Sequence, residues 1–301
     1  MDTTLATAVT GAVVVGADGS TGSDEAARWA AHHAALEHRR LVLVHAIPEH
    51  LAATWPSTYA VDVVAYREAL LAEAGQTLVA LRDRLRKEHV GLDVEEYAVI
   101  GDPRDVLAES SRRAALVVVG TRGRGSVRRA ILGSVAVSLS RHTHGPLVVV
   151  RPGASLPSHR GVLVGVDADP RSQAALEFAF EVASFHHAPL TVVHSTWDAD
   201  AYVAGASYVP PIPTSPEETK LIVSEVTAGL REKYPDVEVH VRSAHGLPEQ
   251  ELVRLSKDDD LLVVGVRGRG TLAELLVGST TTAVVEQAQC AVAVVPASAA
   301  S

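Results

Sequence analysis

The segment LVVVGTRGRGSVRRAILGS, residues Leu116 to Ser134, carries the spacing Gly-x2-Gly-x9-Gly-Ser directly after a short apolar run. Glycines after a buried strand let the backbone turn sharply and point N–H groups into a pocket that side chains would obstruct. The closing Gly-Ser pair opens a helical pattern, and the first N–H groups of a helix favour an anion. The same spacing returns in LLVVGVRGRGTLAELLVGS, residues Leu261 to Ser279. The pair of segments predicts a repeated anion-binding loop.

Other segments repeat in the same order, which indicates a tandem duplication. VVVGADGS at Val13–Ser20 matches VLVGVDAD at Val162–Asp169, and LVLVHA at Leu41–Ala46 matches LTVVHS at Leu190–Ser195. We therefore expect a first domain over residues 10–152, a linker over 153–159 and a second domain over 160–297.

Within each copy, short β-branched runs alternate with longer helical patterns, which is typical of a parallel sheet with helices on both faces. The sequence thus predicts an α/β protein of two tandem Rossmann-like domains, each with a five-stranded parallel sheet. For the first copy the predicted strands are Ala12–Ala17, Leu41–Ala46, Asp93–Val99, Leu116–Val119 and Leu147–Val150, and the predicted helices are Ser23–His38, Asp62–Lys87, Pro103–Ser111 and Val135–Arg141.

Composition narrows the class of protein. Hydrophobic residues make up 47% of the 301 positions, and no apolar run is long enough to span a membrane. The single cysteine, Cys290, excludes an intrachain disulfide, and the N-terminus lacks the basic start of a secretory signal, so we expect a cytoplasmic protein. The net charge of −9 argues against nucleic acid as a partner.

The residues shared by the two copies fall at the carboxyl ends of strands, where open α/β sheets bind ligands. Asp18 and Asp167 follow the first strand of each copy, either as ligand contacts or as caps of the next helix. His45 and His194 close the second strand, and we expect each to be packed or bonded to backbone rather than to bind a ligand.

The glycine loop belongs to neither of the common phosphate-binding motifs. A Walker loop needs a Gly-Lys-[Ser/Thr] sequence, and both segments lack lysine. The dinucleotide fingerprint follows the first strand, whereas this loop follows the fourth. Ser134 and Ser279 remain open to two roles, as helix caps or as hydroxyl donors to a phosphate.

The loop spacing, the V-G-x-D strand and the final VVVRP and VAVVP strands resemble the ATP-binding type of the universal stress protein family. This resemblance covers nearly the whole chain as a tandem pair, and it implies an adenine-nucleotide α-hydrolase-like fold with one ATP, accompanied by Mg²⁺, in each domain. The contacts it implies for the first domain are Asp18, Val44, Gly120, Arg122, Gly123, Gly133, Ser134 and Val135, and for the second Asp167, Val193, Gly265, Arg267, Gly268, Gly278, Ser279 and Thr280. No catalytic residue or protein metal ligand is expected.

The same resemblance implies a nucleotide-dependent regulator in stress response or growth arrest, with a regulatory protein partner and a homo-oligomer of tandem chains. The alternative is a slow ATPase or a nucleotidyl-transferring enzyme of the same superfamily. The first loop contains arginines but no lysine or carboxylate, which disfavours efficient hydrolysis.

The two sites are expected to differ in affinity. Residues 1–153 carry 17 basic and 17 acidic side chains, so the whole excess of −9 lies in the second half. Where the first loop has Arg128 and Arg129, the corresponding positions of the second loop are Ala273 and Glu274. Unless these arginines lie on a solvated face, where salt screens them, the first site should bind ATP more tightly.

Overall fold

The chain forms two compact units, Met1–Gly153 and Ala154–Ser301. The computed structural model describes residues 3–53, 63–121, 123, 132–154, 160–167, 172–196, 216–266 and 279–297. Among these residues, no helix combines the length and the apolar character needed to cross a bilayer.

The first unit is a five-stranded parallel sheet, as predicted, and its strand order is β3-β2-β1-β4-β5. Its elements are α1 (Thr3–Ala8), β1 (Val13–Gly16), α2 (Thr21–Leu36), β2 (Leu41–Ile47), α3 (Glu49–Ala53), α4 (Val63–Glu88), β3 (Val94–Ile100), α5 (Pro103–Ser110), β4 (Leu116–Gly120), α6 (Ser134–His142) and β5 (Leu147–Val150). The predicted strands are all present. In β1, β2, β4 and β5 they are valine and leucine runs that are largely buried, as suits a parallel sheet, whereas β3 lies at the edge of the unit and is mostly half-buried.

Helix α1 lies before residue 10, where the sequence predicts the first domain to begin. Leu5 and Ala8 are 1% and 3% exposed, and Val9 is fully buried. This spacing of apolar residues places them on one face of a helical turn, so the segment packs onto the domain.

Helices cover both faces of the sheet. A Cβ at Gly16 would lie 2.9 Å from Leu107 of α5, whereas a Cβ at Gly120 would lie 2.5 Å from the carbonyl oxygen of Gly22 in α2. Because Val15 pairs with Val118, Gly16 is level with Val119 and points to the same face of the sheet. Gly120, the next residue of β4, points to the opposite face. Helices α5 and α2 therefore lie on opposite sides of the sheet.

The second unit repeats this architecture with the strand order β8-β7-β6-β9-β10, again all parallel. Its elements are β6 (Val162–Val166), α7 (Gln173–Phe185), β7 (Leu190–Thr196), α8 (Pro216–Lys233), β8 (Val239–His245), α9 (Pro248–Leu255), β9 (Leu261–Val266), α10 (Ser279–Gln287) and β10 (Ala291–Pro296).

Packing details repeat as well as the element order. Gly165 of β6 lies beneath Leu252 of α9, with a Cβ-to-Cδ1 distance that would be 2.8 Å, as Gly16 lies beneath Leu107. His38 and His187, which follow α2 and α7, both adopt a positive φ, of 53° and 49°. A left-handed residue at this point is a common way to end a helix. The duplication is therefore preserved in backbone conformation as well as in sequence.

Candidate functional site

A cavity of about 950 Å³ opens at the carboxyl ends of β1, β2 and β4 in the first domain. The strand order reverses here, because the chain leaves β1 towards β2 and later returns from β3 to β4 on the other side. The splayed connections at such a switch point leave a crevice, which is the usual ligand site of open α/β sheets. Its volume lies in the range of small-molecule sites.

Asp18 forms one wall of this cavity. The chain leaves β1 at Gly16, and Gly19 adopts a φ of 76°, which turns the backbone into α2. Asp18 Oδ1 accepts the N–H of Ser20 at 3.0 Å, while the Ser20 hydroxyl caps α2 by accepting the N–H of Ser23. Ser20 is thus the cap, and the half-buried Asp18 carboxylate borders the cavity.

Gly120 and Gly123 line the cavity beside Asp18 and explain why the loop requires glycine. A Cβ at Gly120 would collide with the backbone of α2, as described above. A Cβ at Gly123 would overlap Asp18 Oδ2 and lie 3.5 Å from its Cγ. The first glycine therefore lets β4 approach α2, and the second leaves room for the carboxylate.

The N-terminus of α6 forms the floor. The N–H of Gly133 donates to the carbonyl of Thr121 at 2.7 Å, which returns the loop to the end of β4. Gly133 is the N-cap residue and makes no side-chain cap, so α6 begins at Ser134 with its hydroxyl outside the capping role. Gly133, Ser134 and Val135 all line the cavity. The first-turn N–H groups of α6 have no intrahelical acceptor, and with the helix dipole they favour an anion.

The edge of β2 supplies backbone groups, at a position that the sequence analysis missed. The predicted contact, Val44, lines the cavity, but its carbonyl already accepts the N–H of Ala17 at 2.9 Å. The carbonyl of Ile47 accepts the N–H of Gly101, which follows β3. Because the backbone groups of successive strand residues point to alternate neighbours, those of the even-numbered residues of β2 point towards β1. Because β1 has ended, the N–H and C=O of Ala46 face the cavity and have no hydrogen-bond partner among the described residues.

An apolar wall completes the cavity. It comes from the end of β2, from α3 and α4 and from α5, which are far apart in the sequence. Its members include Ile47, Leu51, Leu70, Ala74 and Leu107. This wall suits a flat hydrophobic group next to the polar edge of β2, and a sequence pattern could not have assembled it.

In addition to Val44, six of the residues predicted for the first domain line this cavity: Asp18, Gly120, Gly123, Gly133, Ser134 and Val135. Arg122 lies outside the described residues, as do Arg128 and Arg129, on which the expected difference in affinity was based. Within the described ranges, no group of three His, Cys, Asp or Glu side chains is arranged to hold a metal ion.

The second domain shows both similarities and differences at the same places. Asp167 follows β6, and its carboxylate accepts the hydroxyl of Ser172, which precedes α7. Val193 pairs with Gly165 as Val44 pairs with Gly16. Gly265 lies in β9, whereas Ser279 begins α10 and Thr280 follows it. Arg267, Gly268 and Gly278 lie outside the described residues, as do Ala273 and Glu274.

His194 takes the structural role that was expected of it. Its Nδ1 lies 3.1 Å from the carbonyl oxygen of Val166 and it is 8% exposed. A carbonyl can only accept, so the imidazole carries its proton on Nδ1 and donates it to the backbone. His194 thus ties the end of β7 to the end of β6.

Comparison with known proteins agrees with these features. The model of the universal stress protein family matches residues 10–151 and again residues 159–296. The chain belongs to the universal stress protein family. A universal stress protein of Mycobacterium tuberculosis is 36% identical over 290 residues, covering 94% of this chain and 96% of that protein. One from Mycolicibacterium smegmatis is 35% identical over 291 residues, with the same coverage.

Solved structures show the same fold. The crystal structure of a universal stress protein from Archaeoglobus fulgidus has a TM-score of 0.70 at 20% identity, covering 95% of this chain and 98% of that one. A putative universal stress protein from Pseudomonas aeruginosa has a TM-score of 0.60 at 18% identity, covering 97% and 95%. The chain is therefore a tandem universal stress protein with two α/β domains.

Proposed function

We propose that this universal stress protein binds ATP, with Mg²⁺, in the cavity of the first domain and a second adenine nucleotide or nucleoside in the second. The observation that carries the proposal is the convergence of Asp18, the glycine loop and the N-terminus of α6 on one cavity. These groups suit opposite ends of one ligand, because the carboxylate accepts hydroxyl or amino protons and the helix N-terminus binds phosphate.

The adenine would lie against the apolar wall with its edge at Ala46. The free N–H and C=O of that residue form a donor and acceptor pair, which is complementary to the ring nitrogen and the amino group of adenine. Asp18 would then hold the ribose side of the adenosine. The amide groups near Gly133 and the hydroxyl of Ser134 would bind the phosphates. Mg²⁺ would offset part of the negative charge of the phosphates. The loop of this domain contains no carboxylate that would compete with the phosphates for the ion.

The same arrangement favours holding ATP over rapid hydrolysis. Fast phosphoryl transfer needs a residue that orients the attacking water and cations that stabilise the transferred group. The loop of the first domain contains neither lysine nor carboxylate. Asp18 and Glu73 are the carboxylates among the cavity residues, and Asp18 is assigned here to the ribose. We infer a regulator of stress response or growth arrest whose nucleotide occupancy alters its contacts with a protein partner, and we retain the dimer of tandem chains as a prediction.

Two measurements test this proposal on the full chain. Mass spectrometry of the supernatant after denaturation should detect ATP that co-purifies with the protein. Titration of the nucleotide-free protein should show that Ser134→Ala weakens ATP by roughly tenfold or more, as expected for loss of a hydrogen bond to a charged group, while adenosine is unaffected.

Ser138→Ala is the matched control, because Ser138 lies on the same helix outside the cavity. Equal affinities of wild type and Ser134→Ala for ATP would contradict the phosphate assignment. Single-turnover rates near ~10 per second, the median for enzymes, would instead favour an ATPase.

A further inference from the structure

An acidic side chain lies at the phosphate end of the second site. Glu249 is the second residue of α9, and its Oε2 accepts the hydroxyl of Thr280 at 3.3 Å. Thr280 is the second residue of α10, the helix that corresponds to α6. A carboxylate therefore occupies the neighbourhood of the helix N-terminus that, in the first domain, is open to an anion.

The first domain has the opposite charge at this position. Arg104 of α5 corresponds to Glu249, and its guanidinium is held by Asp102, the N-cap residue of the helix. This hydrogen bond from Arg104 lowers the pKa of the Asp102 carboxyl below its ordinary value. In the second domain Leu247 replaces Asp102 and provides no side-chain cap. Glu249, the residue after the proline in this helix, instead accepts a hydrogen bond from Thr280 of α10.

This arrangement changes what the second site can accept. The positive end of the dipole of α10 is already compensated by the Glu249 carboxylate, so an incoming phosphate gains less from it. The carboxylate also repels each phosphate charge at close range, and because Glu249 and Thr280 are half-buried, water screens this repulsion less than it would on an open surface. A nucleoside without phosphates avoids both effects, since its contacts lie at the Asp167 end.

We propose that Glu249 makes the second-domain site selective for an adenine nucleoside over ATP, while the first-domain site takes ATP. This inference rests on the proposed function, because it assumes that the second domain binds adenosine at Asp167 and the end of β7. It provides a reason for unequal sites that is independent of the arginines in the loops.

The test uses the full chain carrying Asp18→Ala, which weakens the first site, titrated with adenosine and with ATP, both with and without Mg²⁺. Glu249→Gln should raise the affinity of the second site for ATP by about 5- to 30-fold, the effect of removing one nearby like charge. Its affinity for adenosine should stay within about twofold. Glu251→Gln is the matched control: it removes the same charge from the same helix, but Glu251 pairs with Arg254 at 2.6 Å.

Three results would overturn the inference. Glu249→Gln could leave ATP binding unchanged, could change adenosine and ATP equally, or could weaken ATP in Mg²⁺, which would make Glu249 a metal ligand. Absence of adenosine binding by the second domain in every variant would overturn it as well. If the otherwise unmodified chain still binds ATP at the first site in these cases, the proposed function survives, whereas loss of binding at both sites refutes the two together.

Discussion

Replacing Gly123 by Ala should weaken nucleotide binding by acting on Asp18 alone. The added Cβ would overlap Asp18 Oδ2, and a carboxylate side chain can move away from it. Gly123 is exposed and does not adopt a positive φ, so Ala can take the same backbone conformation. The fold should persist while the carboxylate is displaced from the cavity.

The size of the effect follows from the hydrogen bond that is lost. A hydrogen bond to a charged group contributes about 1.5–3 kcal/mol, which corresponds to a loss of affinity of about 10- to 150-fold. Asp18→Ala should cause a similar loss, because it removes the same carboxylate. The double variant should bind no more weakly than Asp18→Ala, since the new methyl group then has no carboxylate to displace.

Isothermal titration of the two single variants and the double variant with ATP forms a double-mutant cycle, which should give a coupling energy close to the full effect of one substitution. Gly75→Ala is the matched control, because a Cβ there has no neighbour within 4 Å. Additive losses in the double variant would refute the reasoning. They would show that Gly123 contributes to binding through its own backbone.

Three further predictions concern stability. Burial raises the pKa of Asp259 to about 6, so the favourable contribution of its protonated form is fully present below pH ~4 and is lost as the pH rises through about 6. Asp259→Asn should therefore raise the free energy of unfolding at pH 7.5 by up to about 2–3 kcal/mol and have little effect near pH 4. Urea unfolding at both pH values measures this. A variant that is less stable than the wild type at pH 7.5 would contradict it. Its neighbour Asp260, which accepts two hydrogen bonds from Arg160, should show the opposite sign when replaced by Asn. Gly120→Ala should destabilise the first domain by roughly 1–3 kcal/mol, because the methyl group meets the rigid backbone of α2. Gly75→Ala should stabilise α4 by about 0.5–1 kcal/mol, because its methyl group has no neighbour within 4 Å. If thermal unfolding showed that both variants shift the melting temperature in the same direction, the packing argument would be wrong.

Much of the site could be predicted from the sequence because its chemistry is local. The spacing of the loop already marks Gly120, Gly123 and Gly133, and α6 starts where the Gly-Ser pair predicts. The choice between the two roles of Ser134 required the structure. Only the backbone conformation of Gly133 shows that the glycine is the cap and that the hydroxyl is left for another partner.

Sites formed by distant elements were beyond prediction. Val44 was a reasonable expectation from the end of a strand, yet the open edge lies at Ala46, because it depends on where β1 stops relative to β2. The contact between Glu249 and Thr280 joins residues 31 positions apart on two helices, and no periodic pattern connects them.

The sequence by itself determined the duplication, the order of strands and helices and the position of the anion-binding loop, because hydrophobic period, glycine spacing and helix caps are short-range properties of the chain. Tertiary structure alone decided which backbone groups remain unpaired at the end of the sheet, which apolar side chains close the cavity and which charge faces the phosphate end of each site. Those features depend on strand register and on the packing of helices, and these arise only when segments far apart in the chain come together.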